Sequence, residues 1–190
     1  MTEIDGKIVD ALARVSQAFR VLLRNEGKLN ALSPIQIQIL IFLLFQFGES
    51  SKVTALARHF DLTKATVSDS VKSLAQKCLI EKYVDAADVR SYMIVLTGRG
   101  RELALKSAGF AWAIEKPLDI LSPMQKEIMF TGLLQLIRQL HLAGIISIQQ
   151  MCFTCCHYDH LGSGHYCKLL KSGLADKELK LDCADHHLSL

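Results

Sequence analysis

The sequence predicts a mainly α-helical fold interrupted by one hairpin and followed by a small cysteine-rich segment. Three observations predict it. Apolar residues recur at spacings of three and four over much of the chain. A Ser-Pro-x-Gln helix start occurs twice, at Ser33 and at Ser122. Five of the six cysteines and five of the seven histidines fall between Cys152 and His187. With 190 residues, half of them apolar and 22% charged, the chain can bury the core of one domain or two small ones.

Ile4, Ile8, Ala11, Val15, Ala18 and Leu22 place one apolar stripe on a helix over about residues 4–25, and such a stripe needs a partner to cover it. Ser33 caps the next helix, with Pro34 at its first position and Gln36 placed to close a capping box; it runs through apolar sequence to Gly48 and must be buried. Val53 to Phe60 reads as a short helix. Thr63 caps another, whose inward stripe is Val67, Val71, Leu74 and Cys78 and whose outward face is Thr66, Ser68, Asp69, Lys72, Ser73 and Gln76. Two short helices joined by a tight turn, the second with a polar outer face, form a helix-turn-helix. Small hydroxyls and a lysine there suit phosphates and base edges, although a solvated face has the same composition.

Ile80 to Val84 and Tyr92 to Leu96 read as strands around the polar stretch Asp85 to Ser91, which makes the unit a winged helix. Arg90 falls near the hairpin tip with Asp88 two residues away on the same face, where the carboxylate can hold the guanidinium. Ser122 opens a last long helix carrying Ile128, Leu133, Leu136, Ile137 and Leu140, with Gly144 at its end. The first and last long helices are expected to pack together, within one chain or between two.

The run Asp88-Val89-Arg90-Ser91, then four residues, then Leu96-Thr97-Gly98-Arg99-Gly100 resembles the wing signature of the MarR family of bacterial transcription regulators. The segments SPIQIQIL and LARHFDLTKATVSDSVKSLAQKCLIEKY resemble its helix-turn-helix, and the likeness extends over about residues 4–146. It implies a homodimer joined by its terminal helices, with two winged helices reading the half-sites of a pseudo-palindromic double-stranded DNA operator. Residues 1–30 and 101–150 are then the dimerisation region and 31–100 the DNA-binding domain. Thr66, Ser68, Lys72 and Ser73 become recognition-helix contacts and Arg90 the wing contact, with a small-molecule effector pocket between the dimer helices and the DNA-binding lobe. Two positions depart from the pattern. Asp69 puts a carboxylate where a basic residue is common, and Cys78 stands where a glycine is usual, so that helix end is expected to be shaped differently.

Residues 151–190 form a cysteine-rich tail with C-x2-C, eleven residues, C, fifteen residues, C, from Cys152, Cys155, Cys167 and Cys183. Two thiolates of a C-x-x-C turn converge on one side and two distant ones complete a tetrahedron, so a metal-binding module is expected, with Leu161-Gly162-Ser163-Gly164 as its flexible turn. A segment this short needs a metal's folding free energy. Zinc is the first choice and an iron–sulfur cluster the alternative. His165, His186 and His187 rank below the four cysteines as ligands, and Cys156 is a spare thiol or a redox-active one.

Charge is modest. Residues 51–101 hold nine Lys and Arg against five Asp and Glu, or +4, while residues 152–190 hold four against five, or −1. The N-terminus lacks a secretory pattern, and the longest apolar stretch, residues 35–47, contains three glutamines and is shorter than the ~20 residues of a membrane span. The expectation is a cytoplasmic protein with no membrane contact, where clustered cysteines bind metal before they form disulfides. No glycine-rich phosphate loop, no G-x-S-x-G and no framed carboxylate pair is present, so no enzyme is expected. Two readings remain: a dimeric repressor with a structural metal tail, and a metal or redox sensor in which the tail is the switch.

Overall fold

The computed structural model describes residues 2–46, 51–85, 88–147, 150–161 and 164–188. The expected end of the second helix at Gly48 and the turn at Gly162 and Ser163 lie outside these, as do the side chains of Asp88 and Arg90. The chain divides into two compact units, one of residues 1–57 and 62–119 and one of residues 58–61 and 120–190.

The first unit begins with α1 (Glu3–Leu29), opened by a capping box between Thr2 and Asp5. The turn after it has Ala31 in the left-handed region at φ 51°, with the Leu32 N–H donating to the Gly27 carbonyl at 2.8 Å. A β-carbon on Gly27 would come within 2.5 Å of the Leu32 carbonyl oxygen, so only glycine permits this close return. Ser33 and Gln36 then form the expected capping box of α2 (Pro34–Phe45). α2 is the central element: Ile37, Ile39, Leu40, Leu43 and Leu44 are buried, and it packs on α1, on α4 (Lys64–Gln76), on β2 (Asp88–Leu96) and on α5 (Gly98–Ser107). Each such buried aliphatic contributes on the order of 1.5–3 kcal/mol, which is why this helix tolerates apolar residues on every side.

α3 (Val53–His59) and α4 are separated by a short turn in which Asp61 takes φ 50°. Val67, Val71 and Leu74 of the predicted inward stripe are buried, but Cys78 is exposed. α4 stops at Gln76, so Cys78 has left the helical period and its side chain no longer follows the buried face. β1 (Ile80–Asp85) pairs antiparallel with β2, with Ile80 opposite Leu96 and an irregularity at Val84 and Asp85. Thr97 caps α5, and the buried Ser107 hydroxyl at its end donates to Glu26 of α1 at 2.7 Å. A helical turn, α6 (Trp112–Glu115), completes this unit with flanking 3-10 turns.

The second unit contains α7 (Pro123–Leu142), opened by the expected Ser122–Gln125 capping box, and the cysteine-rich segment. α7 closes with Gly144 at φ 70° and the Ile145 N–H donating to the Leu140 carbonyl at 3.0 Å. The cysteine-rich segment is not helical. It holds a three-stranded antiparallel sheet of β3 (Tyr158–Leu161), β4 (Gly164–Cys167) and β5 (Ser172–Leu174), in that order. Leu134 of α7, Met151 and Leu179 form a buried cluster with Phe130, Ile137, Phe153, Tyr158 and Leu174 around it. The Arg138 guanidinium lies 5.2 Å from the centre of the Phe153 ring. The cysteine segment and α7 thus share one core.

Candidate nucleic-acid interface and cysteine cavity

The outward face of α4 is built by its cap. The Thr63 hydroxyl accepts from the Thr66 N–H at 3.1 Å and meets the Thr66 hydroxyl at 2.8 Å. Beyond this cap, Thr66, Ser68, Asp69 and Lys72 are exposed and Ser73 is half-buried. The Ser70 hydroxyl is turned inward and donates to the Thr66 carbonyl at 2.9 Å, so the helix presents one polar face and no other. Thr66 is thus a partner of the cap as well as a face residue. Lys64 and Gln76 are exposed at the two ends of the same helix, and Lys64 adds a cation that the sequence reading passed over.

The hairpin is fastened to the end of α4. The Thr97 hydroxyl donates to the Cys78 carbonyl at 2.9 Å and accepts from the Gly100 N–H at 2.9 Å, while the Thr97 N–H donates to the Leu79 carbonyl at 3.1 Å. A β-carbon on Gly100 would stand 1.8 Å from the Leu79 carbonyl oxygen, so α5 approaches this turn only because residue 100 has no side chain. The Leu96-Thr97-Gly98-Arg99-Gly100 motif therefore has a physical job: it holds the wing at a fixed angle to α4. On the wing itself, Lys82 Nζ lies 4.6 Å from the centre of the Tyr92 ring. Arg90 lies in β2, with its side chain outside the described residues.

The end of α4 corrects the expectation about Cys78. Cys78 adopts φ 54°, its N–H donates to the Ala75 carbonyl at 2.9 Å, and the Leu79 N–H donates to the Leu74 carbonyl at 3.1 Å. This is the left-handed closure that a glycine would give, so the helix end keeps its usual shape and the β-carbon carries strain instead.

In the second unit Cys152, Cys155, Cys167 and Cys183 all line one cavity of about 50 Å³. Backbone hydrogen bonds place them. Cys152 and Cys155 bracket a 3-10 turn closed by the Cys155 N–H on the Cys152 carbonyl at 3.0 Å. Cys167 ends β4 opposite Tyr158. The Cys183 N–H donates to the Gln150 carbonyl at 2.8 Å, and the Lys180 N–H donates to Cys152 Sγ at 3.3 Å. Cys155 is buried and the other three are half-buried. Burial pushes the Cys152 thiol above its usual range; the Lys180 N–H opposes that shift, and the neighbouring Cys183, Cys167 and Cys155 add to it. Among the described residues no three His, Cys, Asp or Glu side chains gather into a shell for a single ion.

His165 and His186, two of the alternative ligands, are engaged outside the cavity lining. His165 Nδ1 meets the Tyr158 hydroxyl at 2.7 Å and its Nε2 lies 3.3 Å from Asp176, whose other oxygen is 3.4 Å from the Thr131 hydroxyl of α7. His186 Nε2 is 2.9 Å from the Thr154 hydroxyl, and the His187 ring stands edge-on to His157, which itself lines the cavity. Cys156 is exposed and is not among the cavity-lining cysteines; its N–H donates to the His187 carbonyl at 2.7 Å. The chain from Tyr158 through His165 and Asp176 to Thr131 had no signal in the sequence, because it joins residues on four separate elements.

A helix-turn-helix whose second helix presents a polar face, followed by a hairpin locked to that helix, is a winged helix. Residues 32–91 match the model of the MarR family. No curated protein matches the chain in sequence. Solved structures share the fold. The Staphylococcus aureus MepR–DNA complex is 24% identical, with a TM-score of 0.62 over 70% of this chain and 97% of that one. A MarR transcriptional regulator from Methanosarcina mazei Go1 is 19% identical, with a TM-score of 0.59 over 74% and 99%. A MarR protein from Peptoclostridium difficile is 18% identical, with a TM-score of 0.63 over 75% and 93%. These three leave a quarter or more of this chain unmatched.

Proposed function

We propose that the chain is a transcription regulator that binds double-stranded DNA as a homodimer and represses by occupying its operator. The observation that carries this reading is the exposed Thr66, Ser68 and Lys72 face of α4, held against a wing by the Thr97–Cys78 hydrogen bond. A helix with its inner face fully committed to a core and its outer face polar can enter a major groove, and Lys72 and the wing cation Arg90 would displace counterions from phosphates. MepR, which shares the fold, has been crystallised on DNA.

Exposed apolar surface supports the homodimer. Ile4, Ile8 and Val15 on α1 are 59%, 50% and 47% exposed, and Ile128 on α7 is 66% exposed. Stripes of this kind are uncommon on a monomer's surface and are covered by a second copy of the chain in this reading. Among the described residues no single helix is long and apolar enough to cross a membrane. The cysteine cavity is a thiolate-bound metal centre in the same reading, and its metal, zinc or an iron–sulfur cluster, holds the last segment in place.

Selection of binding sites from a random duplex pool tests the DNA reading. The expected product is a pair of inverted half-sites about 10 base pairs apart, centre to centre. A pool that returns no enriched sequence would contradict it.

A further inference from the structure

We infer that Asp69, near the middle of the outward face of α4, is a specificity-determining residue that requires a cytosine at one position of each half-site. This rests on the DNA reading above and names the base that the helix selects there. Four residues of α4 are buried, Val67, Ser70, Val71 and Leu74, and they fix which way the helix faces. At about 100° of turn per residue, the direction opposite their mean runs within about 30° of Ala65, Asp69, Lys72 and Gln76. All four of these are exposed. Thr66, Ser68 and Ser73 lie about 70–90° to either side of that line. A helix about 10–12 Å across fills a major groove about 12 Å wide, so its midline residues meet base edges and its flanks meet the phosphate walls.

Side-chain length separates the midline residues. Lys72 carries its charge on a flexible four-carbon stem, which reaches the groove walls from the midline. Asp69 has a single methylene between backbone and carboxylate, so its oxygens stay over the floor of the groove and away from the phosphates. Ala65, one turn earlier on the same line, has no bulk to hold the helix off the bases. The Asp69 carboxylate takes part in no ion pair or hydrogen bond among the described residues, so its oxygens are free to accept. A carboxylate only accepts, and the base edges differ in what they offer it. Guanine presents O6 and N7 and thymine presents O4, all acceptors that repel it. Adenine sets the N7 acceptor beside its N6 donor, an edge that suits an amide able both to donate and to accept. Cytosine presents the N4 donor alone, and it is the base that a carboxylate matches.

The test starts from the duplex that the unaltered full chain selects from a random pool. Its affinity is measured against duplexes in which the cytosine shared by both half-sites is changed, with its complement, to thymine or to adenine. The unaltered chain should lose about 5-fold to 100-fold on either change. Asp69→Ala should bind the three duplexes nearly equally, and Asp69→Asn should favour adenine, because its amide pairs with both N6 and N7. A selected duplex with no cytosine common to the half-sites overturns the inference and leaves the regulator reading standing. An Asp69→Ala variant that keeps the full cytosine preference does the same. A pool that returns no enriched duplex contradicts the regulator reading, and the inference falls with it. Should Asp69→Ala fail to fold, Asp69→Asn, which keeps the side chain's shape, decides in its place, and an undiminished cytosine preference there overturns the inference.

Discussion

The Thr97 hydroxyl donates to the Cys78 carbonyl across 2.9 Å, and this bond joins the base of the wing to the end of α4. The same oxygen accepts from the Gly100 N–H, so one side chain caps α5 and orients the hairpin. Thr97→Val keeps the shape and removes both bonds. The variant should lose about 1–2 kcal/mol of stability and bind DNA more weakly than that loss alone explains, because the wing angle is no longer fixed. Denaturant unfolding and duplex titration of the same sample check the two effects.

Gly100→Ala is a sharper test of the same joint. Its β-carbon would fall 1.8 Å from a backbone carbonyl oxygen, and a backbone cannot rotate away as a side chain can. A loss of about 2–4 kcal/mol is expected, read as a lowered unfolding midpoint, whereas Gly6→Ala, with open space around its β-carbon inside α1, should stabilise by up to about 0.5–1 kcal/mol.

Cys78→Gly should act in the opposite direction. Cys78 is exposed and sits at φ 54°, where a β-carbon costs about 1–2 kcal/mol. Glycine removes that strain and returns part of the gain as unfolded-chain entropy, leaving a net stabilisation of about 0.5–1 kcal/mol. A raised melting temperature with unchanged DNA affinity checks it.

The winged helix was legible in the sequence because each of its signals is local. Ser33, Thr63 and Ser122 cap where their spacing places them, and Val67, Val71 and Leu74 point inward as their period requires. Cys78 was misread because the inward period was carried two residues past Gln76, where the helix ends. The sheet of the cysteine segment was not legible. Its strands are three or four residues long and rich in His, Asp and Gly, so no alternation of apolar and polar residues marks them. The four cysteines were singled out by spacing, and the cavity that they help to line depends on pairings such as Tyr158 with Cys167 that composition does not encode.

Leu134→Ala tests the packing of the cysteine segment on α7. Leu134 is fully buried against Met151 and Leu179, so its truncation should cost about 2–5 kcal/mol. The loss should show as faster amide exchange over residues 150–188 as well as within α7. Unchanged exchange in the cysteine segment would mean that the shared core does not support it.

In the proposed function the α4 face and the wing bind DNA through phosphate contacts, and the salt dependence of duplex affinity, compared between the unaltered chain and Lys72→Ala, decides whether they do. Affinity should fall steeply as salt rises, and Lys72→Ala should bind more weakly with a slope of log affinity against log salt shallower by about one. Affinity indifferent to salt, or a Lys72→Ala variant that binds as the unaltered chain does, would contradict it.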